Sequence, residues 1–433
     1  MAEIDEPLLR RRLAGEEKAT ELEEPGNSSS AVAERKPARL ASLDVFRGLC
    51  IFLMMLVDYA GSIFPVIAHV PWNGLHLADF VMPFFLFVAG ISVAIVYKKV
   101  SNRVDATWKA LLRALKLFIL GVFLQGGYFH GTTSLTYGVD IEKIRLFGIL
   151  QRIAIGYVVA ALCELWLPFH RSRSEGLRRI YNWQWCVVLL LSVVYLGLLY
   201  GLYVPDWQFV VQSDSSMATA SNYTVYLVKC SVRGDLGPAC NSAGMIDRDI
   251  LGIYHLYTKP VYRNLKECSI SGDGQVPQTS PSWCHAPFDP EGILSSLTAA
   301  ASCIIGLHYG HILIQFQDHK ERLWTWAIFS VSLMCLGSLL ALVGIPLNKS
   351  LYTISYLMVT SSAAGITFCL LYALVDVYGW RRVTCAFEWM GKHSLAIFIL
   401  VTSNIIVILV QGFYLNSHDN NIINWIITRF VHK

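Results

Sequence analysis

His69 is the residue of this sequence best suited to acid–base or acyl-transfer chemistry. It follows an apolar segment that carries Asp58, and it precedes Asp79 of the next apolar segment by ten residues. A neutral imidazole can act near neutral pH as a general base or as an acyl-accepting nucleophile. We predict His69 as the catalytic residue and Asp58 as the carboxylate that orients it. The alternative is that a lone loop histidine is only a surface residue.

Three ionisable residues of the first apolar segment fall on one helical stripe. Asp44 and Arg47 are three residues apart, and Asp58 follows Arg47 by eleven residues, or about three helical turns. An ionisable group near the bilayer centre costs about 2.5–3.5 kcal/mol on insertion scales, so this stripe must face protein or water. Two interpretations stay open for Arg47: an ion pair with Asp44, or a contact with a bound ligand.

Pro83 makes a polar notch in the second apolar segment. Proline has no N–H, so it leaves the carbonyl of residue 79, four positions earlier, without its helical partner. Asp79 could therefore contact a ligand there, or it could be satisfied within a kinked helix. Later in the chain, Arg145 and the Gln151-Arg152 pair begin the fourth segment, where they hold phosphate or extend to the interface. Asp289-Pro-Glu-Gly is predicted mainly to cap the helix that follows it.

The composition excludes the soluble enzyme classes. The chain has 433 residues, of which 54% are hydrophobic and 15% charged, whereas soluble proteins carry about 25% charged residues. A net charge of +4 is too small and too dispersed for nucleic-acid binding. The sequence contains no HExxH, Walker, GxSxG or CxxC motif, so no metal site is predicted and nucleotide or serine hydrolysis has no support.

Apolar runs long enough to cross a bilayer recur along the chain, since a spanning helix needs about 20 such residues. They predict an all-α polytopic membrane protein, a bundle of about nine to ten transmembrane helices with one long lumenal loop. A last segment, 422–431, is too short to span. The predicted spans are residues 43–64, 77–97, 108–126, 146–168, 184–204, 292–314, 324–344, 352–377 and 384–413. Gly306 and Gly310 predict a close helix contact in the sixth span.

Lys and Arg are concentrated in alternate loops, which places those loops and the N-terminus in the cytosol. Residues 1–40 are then a disordered cytosolic tail, and residues 41–433 form the membrane domain. The loop at 205–291 becomes lumenal or extracellular, and its sequon at Asn222 is a predicted glycosylation site. Four cysteines in this loop allow three disulfide pairings. They are Cys230, Cys240, Cys268 and Cys284.

Two motifs, RLASLDVFRG at 39–48 and HVPWNGLHLADFVMPF at 69–84, resemble the catalytic membrane domain of the heparan-α-glucosaminide N-acetyltransferase family. The likeness continues in order through 148–153, 246–248, 255–257, 289–294 and 348–356, and covers nearly all of 39–404. The chain looks like a short form in which the cytosolic tail replaces an N-terminal lumenal domain. Asp58 stands where the family's mammalian enzyme has an asparagine.

The resemblance implies an acetyl-CoA-dependent acyltransferase in a lysosomal, vacuolar or other endomembrane, which moves acetyl from cytosolic acetyl-CoA to a lumenal sugar. His69 lies in the segment that holds the family's essential histidine. Whether the acetyl group rests on His69 or passes directly is open, as is N- versus O-acetylation. The residues predicted to bind substrate or acetyl-CoA are Asp44, Arg47, Trp72, Asn73, Asp79, Gln151, Arg152 and Asn348.

Two other classes of function remain as alternatives. Intramembrane charges and a proline-broken helix are also found in secondary transporters, although no internal repeat or second broken helix accompanies them here. A catalytically silent relative is the other alternative. The expected partners are membrane lipid, a glycan or small-molecule acceptor and, as one possibility, a second copy in a homodimer.

Overall fold

Helices occupy the predicted spans. A computed structural model describes residues 40–61, 64, 66–98, 100, 102–125, 144–167, 182–212, 223–268, 276–277, 279–403, 425 and 429. In chain order its elements are α1 (Ala41–Ala60), α2 (Ala78–Tyr97), α3 (Arg103–Gln125), α4 (Ile149–Trp166), α5 (Asn182–Gly201), β1 (Trp207–Gln212), β2 (Tyr223–Val228), α6 (Ser242–Leu251), α7 (Ile293–Gln315), α8 (His319–Val343), α9 (Ile354–Tyr372), α10 (Arg381–Lys392) and α11 (Ser394–Thr402). The predicted tail and most of the segment at 422–431 lie outside the described residues.

The helices α2, α4, α5, α7, α8 and α9 are long and apolar enough to cross a membrane. The all-α polytopic prediction is therefore confirmed. Helices α1 and α3 have 20 and 23 residues, a sufficient length, but each carries several charged residues. The ninth predicted span is wrong as a single helix, because α10 and α11 meet at His393, whose amide donates to the carbonyls of residues 389 and 390.

Small residues bring α2 and α7 into close contact at the centre of the bundle. A Cβ on Gly306 would lie 2.1 Å from the carbonyl oxygen of Phe87, and one on Gly90 would lie 1.9 Å from that of Cys303. One turn further, a Cβ on Gly310 would lie 2.5 Å from the Ala94 methyl group. The small-residue contact predicted from Gly306 and Gly310 is thus present, and it fixes α2, the helix that carries Asp79.

The segment between α5 and α7 forms a lobe on the side of the bundle where α1 ends and α2 begins, which we call the His69 end. Strands β1 and β2 pair antiparallel, and the Asn241 side chain caps α6 by accepting from the Gly244 amide at 2.7 Å. The two disulfides of the lobe are Cys230–Cys240 and Cys268–Cys284, one of the three possible pairings. The sequon at Asn222 lies outside the described residues.

Candidate active site

A histidine and a buried carboxylate meet where α2 begins. The Nδ1 atom of His69 lies 2.9 Å from Oδ1 of Asp79, and Asp79 is fully buried. The second carboxylate oxygen of Asp79 accepts from the backbone amides of His76 at 2.9 Å and Val70 at 3.4 Å. These amides fix the carboxylate, and the carboxylate requires a proton on Nδ1. The lone pair of the neutral ring is therefore on Nε2.

The carbonyl that Pro83 frees has a partner inside the bundle. Tyr356 of α9, itself fully buried, donates its hydroxyl to the carbonyl oxygen of Asp79. The polar notch predicted in α2 is thus filled by protein. Asp79 acts through its carboxylate on His69 and is held through its backbone by α9.

The carboxylate that supports His69 is Asp79, whereas the sequence predicted Asp58. Among the described residues, no hydrogen bond joins Asp58 to His69. Asp58 instead lies at the end of α1 with its side chain exposed, and it lines a small cavity together with His69. The correction has a simple cause: Asp79 follows a turn that brings residues 69–76 back onto the first turn of α2, and helical periodicity does not show that turn.

Lys349 is a residue of this site that the sequence did not predict. Its Nζ lies 2.9 Å from Nδ1 and 3.2 Å from Nε2 of His69, and 3.7 Å from Oδ1 of Asp79. Burial lowers the pKa of His69 and the Lys349 ammonium lowers it further, against the opposing effect of Asp79. Burial also lowers the pKa of Lys349, while Asp79 and Glu291 favour its charged form. The one available signal was that Lys349 is the sole basic residue between α8 and α9.

A second group of charges lies behind His69, where α4 and α7 begin. Arg145 donates to both oxygens of Asp289, at 2.9 and 2.6 Å, and to Glu291 at 2.5 Å. Arg152 is buried and donates to the Pro290 carbonyl at 2.6 Å. Burial raises the pKa of Glu291, but Arg145, Arg152 and Lys349 outweigh it and lower that pKa. Both arginines are thus bound within the protein, and neither extends to the interface.

The capping role predicted for Asp289 belongs to Asp247. Helix α7 begins at Ile293, and the Ile293 amide donates to Oδ1 of Asp247 at 2.8 Å. Gly292 allows this approach, because a Cβ there would lie 1.8 Å from the Asp247 carboxylate. Burial raises the pKa of Asp247 to about 7 against the opposing effect of this hydrogen bond. The lobe thereby caps α7, and Glu291 lies two residues before the start of this helix.

Three residues predicted to contact substrate instead hold the loops around His69. Trp72 is buried against Tyr262 and Phe288, and its Nε1 donates to the Leu236 carbonyl at 2.9 Å. Asn73 and Asn348 form a β-bridge, and the Asn348 amide group donates to the Asn73 side chain at 3.1 Å. Asn73 and Asn348 join the loop that carries His69 to the loop that carries Lys349, and Trp72 joins the His69 loop to the lobe.

A large cavity opens between α1, α2, α3, α4 and α11. Its volume is about 820 Å³, its walls are mainly apolar, and four cations border it: Arg47, Lys109, Arg113 and Lys116. Arg47 donates to Asp44 at 2.9 Å and to Ser92 at 2.6 Å. The predicted Asp44–Arg47 pair is present, and Arg47 also faces the cavity, so the two interpretations of this arginine are compatible.

A smaller cavity of about 70 Å³ lies at the His69 end and is lined by Asp58, His69, Glu291 and Lys349. Phe85, Ile149 and Phe398 line both cavities and so separate them. Arg47 borders the large cavity and Asp58 borders the small one. The two residues lie about 16 Å apart along α1, at a rise of about 1.5 Å per residue. We call the part of the bundle near Arg47 the Arg47 end.

Gln151 stands next to the wall rather than in either cavity. It is fully buried, and its side-chain oxygen and nitrogen have no hydrogen-bond partner among the described residues. The amide packs against Gly121 of α3. The predicted substrate contact by Gln151 has no cavity surface to support it, although Ile149 and Leu150 of the same helical turn line the large cavity.

The fold and the site together define a multi-pass α-helical membrane protein with a histidine–carboxylate centre between its helices. Residues 39–172 match the family model described as heparan-alpha-glucosaminide N-acetyltransferase, catalytic. The chain is 30% identical over 389 residues to heparan-alpha-glucosaminide N-acetyltransferase of Homo sapiens, an alignment covering 84% of this chain and 52% of the human protein. Identity to the protein of that name from Mus musculus is 29% over 411 residues, which cover 88% of this chain and 57% of the mouse protein.

The chain belongs to the heparan-alpha-glucosaminide N-acetyltransferase family, a family of membrane acetyltransferases. It spans about half the length of the curated relatives it matches.

Proposed function

We propose that this protein transfers an acetyl group across the membrane, from acetyl-CoA at the Arg47 end to a sugar acceptor at the His69 end. The observation that carries the proposal is the pair of cavities with a common wall. One cavity offers cations and apolar surface, and the other offers a histidine whose Nε2 carries the lone pair of the neutral ring and lies 3.2 Å from the Lys349 nitrogen. The concentration of Lys and Arg in alternate loops supports a cytosolic location for the Arg47 end, where acetyl-CoA is available.

The large cavity has the chemistry that a coenzyme A thioester needs. The phosphates of the donor would meet Arg47, Lys109, Arg113 and Lys116, because guanidinium and ammonium groups bind phosphate through charge-assisted hydrogen bonds. The uncharged pantetheine arm would follow the apolar walls toward Phe85, Ile149 and Phe398. Helix α3 thus supplies three of the four cations, which explains why a helix of spanning length carries so many charges.

His69 would act on the thioester once its carbonyl passes the shared wall. In one route Nε2 attacks the carbonyl carbon, the C–S bond breaks, and the CoA thiolate leaves and takes up a proton from water. The acceptor oxygen or nitrogen then attacks the acetyl carbon, the bond from that carbon to Nε2 breaks, and the acceptor's proton passes to Nε2 and on to water. In the other route the acceptor attacks the thioester directly, Nε2 removes its proton, and the C–S bond breaks to release the CoA thiolate, which is protonated in turn. Asp79 stabilises the positive charge that the ring acquires in either route.

The small cavity sets the requirements for the acceptor. Asp58 and Glu291 place two carboxylates beside His69 and Lys349, an arrangement suited to a polar acceptor that forms several hydrogen bonds. We infer a sugar amine or hydroxyl group as the acceptor. The small volume admits one reacting group, so the rest of the sugar would lie outside, below the disulfide-bonded lobe.

The test uses purified protein in lipid nanodiscs, radiolabelled acetyl-CoA and a panel of amino sugars and neutral sugars. CoA release is measured for the parent, for His69→Ala and for the control His319→Ala, which removes an exposed histidine at the start of α8. We expect release that requires a sugar, is lost in His69→Ala and persists in the control. Radiolabel retained on the protein without a sugar would establish the acetyl-histidine route. Acetyl-CoA binding without release under any condition would refute the proposal and favour a transporter or a silent relative.

A further inference from the structure

We propose that Lys349 is a positioning residue that holds the His69 ring in its neutral form, with the Nε2 lone pair available for acyl transfer. The inference rests on the proposed function for its catalytic meaning. The contact between the two side chains does not depend on that function. The Lys349 nitrogen lies 2.9 Å from Nδ1 and 3.2 Å from Nε2 of the His69 ring. Two cations so close would repel each other strongly, so a charged Lys349 excludes the second proton from His69.

Two carboxylates favour a charge on Lys349. Burial lowers the pKa of Lys349, but Asp79, whose Oδ1 lies 3.7 Å from the Lys349 nitrogen, and Glu291 favour its ammonium form. Arg152 opposes it, and Asp58 shares the cavity from α1. Asp79 is bonded to His69 as well, but a neutral Nδ1–H satisfies that bond, so the carboxylate does not require an imidazolium.

The backbone around Lys349 is built to hold it in place. Asn348 is fully buried, and its side chain accepts from the Leu351 amide at 2.9 Å while donating to Asn73. The Leu347 carbonyl accepts from the Gly74 amide at 2.8 Å. The loop that carries Lys349 is therefore joined to the loop that carries His69 by the two residues that precede the lysine. A merely solvated lysine would not need this support.

The proposal has a consequence for the acidic limb of the pH profile, the range in which activity falls as the pH decreases. Burial and Lys349 both lower the pKa of His69, so the ring stays neutral to a lower pH than a free imidazole does. Removing the ammonium removes one of these two causes, and the pKa of His69 then rises. At a pH between the two values the variant ring is protonated, cannot accept an acyl group or a proton, and is inactive.

The experiment measures the protonation of His69 directly as well as activity. Diethylpyrocarbonate acylates only neutral imidazole, so its rate of modification at His69, followed by peptide mass spectrometry across pH, reports the midpoint of titration without any need for turnover. The proteins are the full chain in nanodiscs as the parent, Lys349→Gln and Lys349→Arg. A matched control, Lys392→Met, breaks the 2.6 Å Lys392–Glu388 pair in α10. The pH profile of kcat/KM for acetyl transfer is recorded on the same preparations.

We expect the His69 midpoint and the acidic limb of kcat/KM to move together to higher pH in Lys349→Gln, and to stay near the parent values in Lys349→Arg and Lys392→Met. An unmoved midpoint in a Lys349→Gln protein that melts like the parent would overturn the inference. Should that variant not fold, an upward shift in Lys349→Arg, which keeps the charge, would overturn it instead. If the parent releases no CoA but the midpoints shift as stated, the proposed function fails and the inference about Lys349 and His69 stands.

Discussion

Replacing Asp79 by asparagine tests the chemistry of the site with little change of shape. The two backbone amides at Oδ2 of Asp79 need an acceptor there. In Asp79→Asn the amide oxygen therefore takes that position, and the NH2 group turns toward Nδ1 of His69. An NH2 group donates, so Nδ1 must become the acceptor and the proton moves to Nε2. The variant is folded, but the lone pair of His69 points away from the cavity.

The expected loss of kcat in Asp79→Asn follows from the loss of the correct His69 tautomer. In the serine-protease triad, the corresponding Asp-to-Asn change lowers kcat by about 10⁴-fold, which is ~5.4 kcal/mol at 1.36 kcal/mol per tenfold. We expect a loss of that order in kcat for acetyl transfer, with KM for acetyl-CoA unchanged because the cations of the large cavity are untouched. Asp206→Asn is the matched control, since Asp206 accepts from the Cys230 amide at 2.6 Å in the lobe.

The assay combines steady-state CoA release with thermal melting of both variants in nanodiscs. A full loss of activity with a lowered melting temperature in Asp79→Asn would point to a folding defect and would be followed by Asp79→Glu. A kcat within tenfold of the parent in a stably folded Asp79→Asn protein would refute the assigned tautomer and the role of Asp79.

Three further changes address the donor cavity, the helix contact and the lobe. Arg113→Ala should raise KM for acetyl-CoA several-fold with kcat little changed, and high salt should diminish the difference because it screens charge; an unchanged KM would contradict the assignment of the large cavity. Gly306→Val should lower the melting temperature, since a Cβ there would lie 2.1 Å from a carbonyl oxygen of α2 and overpacking costs about 1–3 kcal/mol or more. Gly197→Val, with nothing within 4 Å of its Cβ, is its control and should melt like the parent. The double change of Cys268 and Cys284 to serine opens a crosslink between residues 16 apart and should cost ~3 kcal/mol; equal melting of parent and variant without reductant would argue against it.

Local features explain why most of the fold could be predicted from the sequence. A run of about 20 apolar residues is a property of one segment, and α2, α4, α5, α7, α8 and α9 each contain one. The ninth predicted span consists of two helices, α10 and α11, and α10 packs closely on α1 just before the break. Gly391 lies against the backbone of Asp44 in α1, where a Cβ would be 1.7 Å from the carbonyl oxygen, and the helix ends two residues later at His393.

The candidate site could be predicted only in part, because its contacts join distant segments. His69, Asp79 and the Asp44–Arg47 pair lie in the first two helices or in the short loop between them, and their spacing indicated them. Lys349 reaches His69 across 280 residues, and Glu291 reaches the same cavity through its contact with Arg145. No periodicity relates those positions. The replacement of Asp58 by Asp79 as the supporting carboxylate has the same origin, since it depends on the turn at 69–76.

The charges at the His69 end are linked, and this determines how any one of them can be studied. Asp79 contacts both His69 and Lys349, and Arg145 contacts both Asp289 and Glu291. Removing one partner of a buried pair leaves the other uncompensated, which costs about 3–5 kcal/mol. An alanine variant would therefore lose stability as well as activity, and an activity assay alone would not distinguish the two. Asp79→Asn and Lys349→Gln also remove one charge of a pair, but they retain a polar side chain that can form hydrogen bonds and leave no large cavity. Comparing their melting temperatures with their activities therefore separates the two effects.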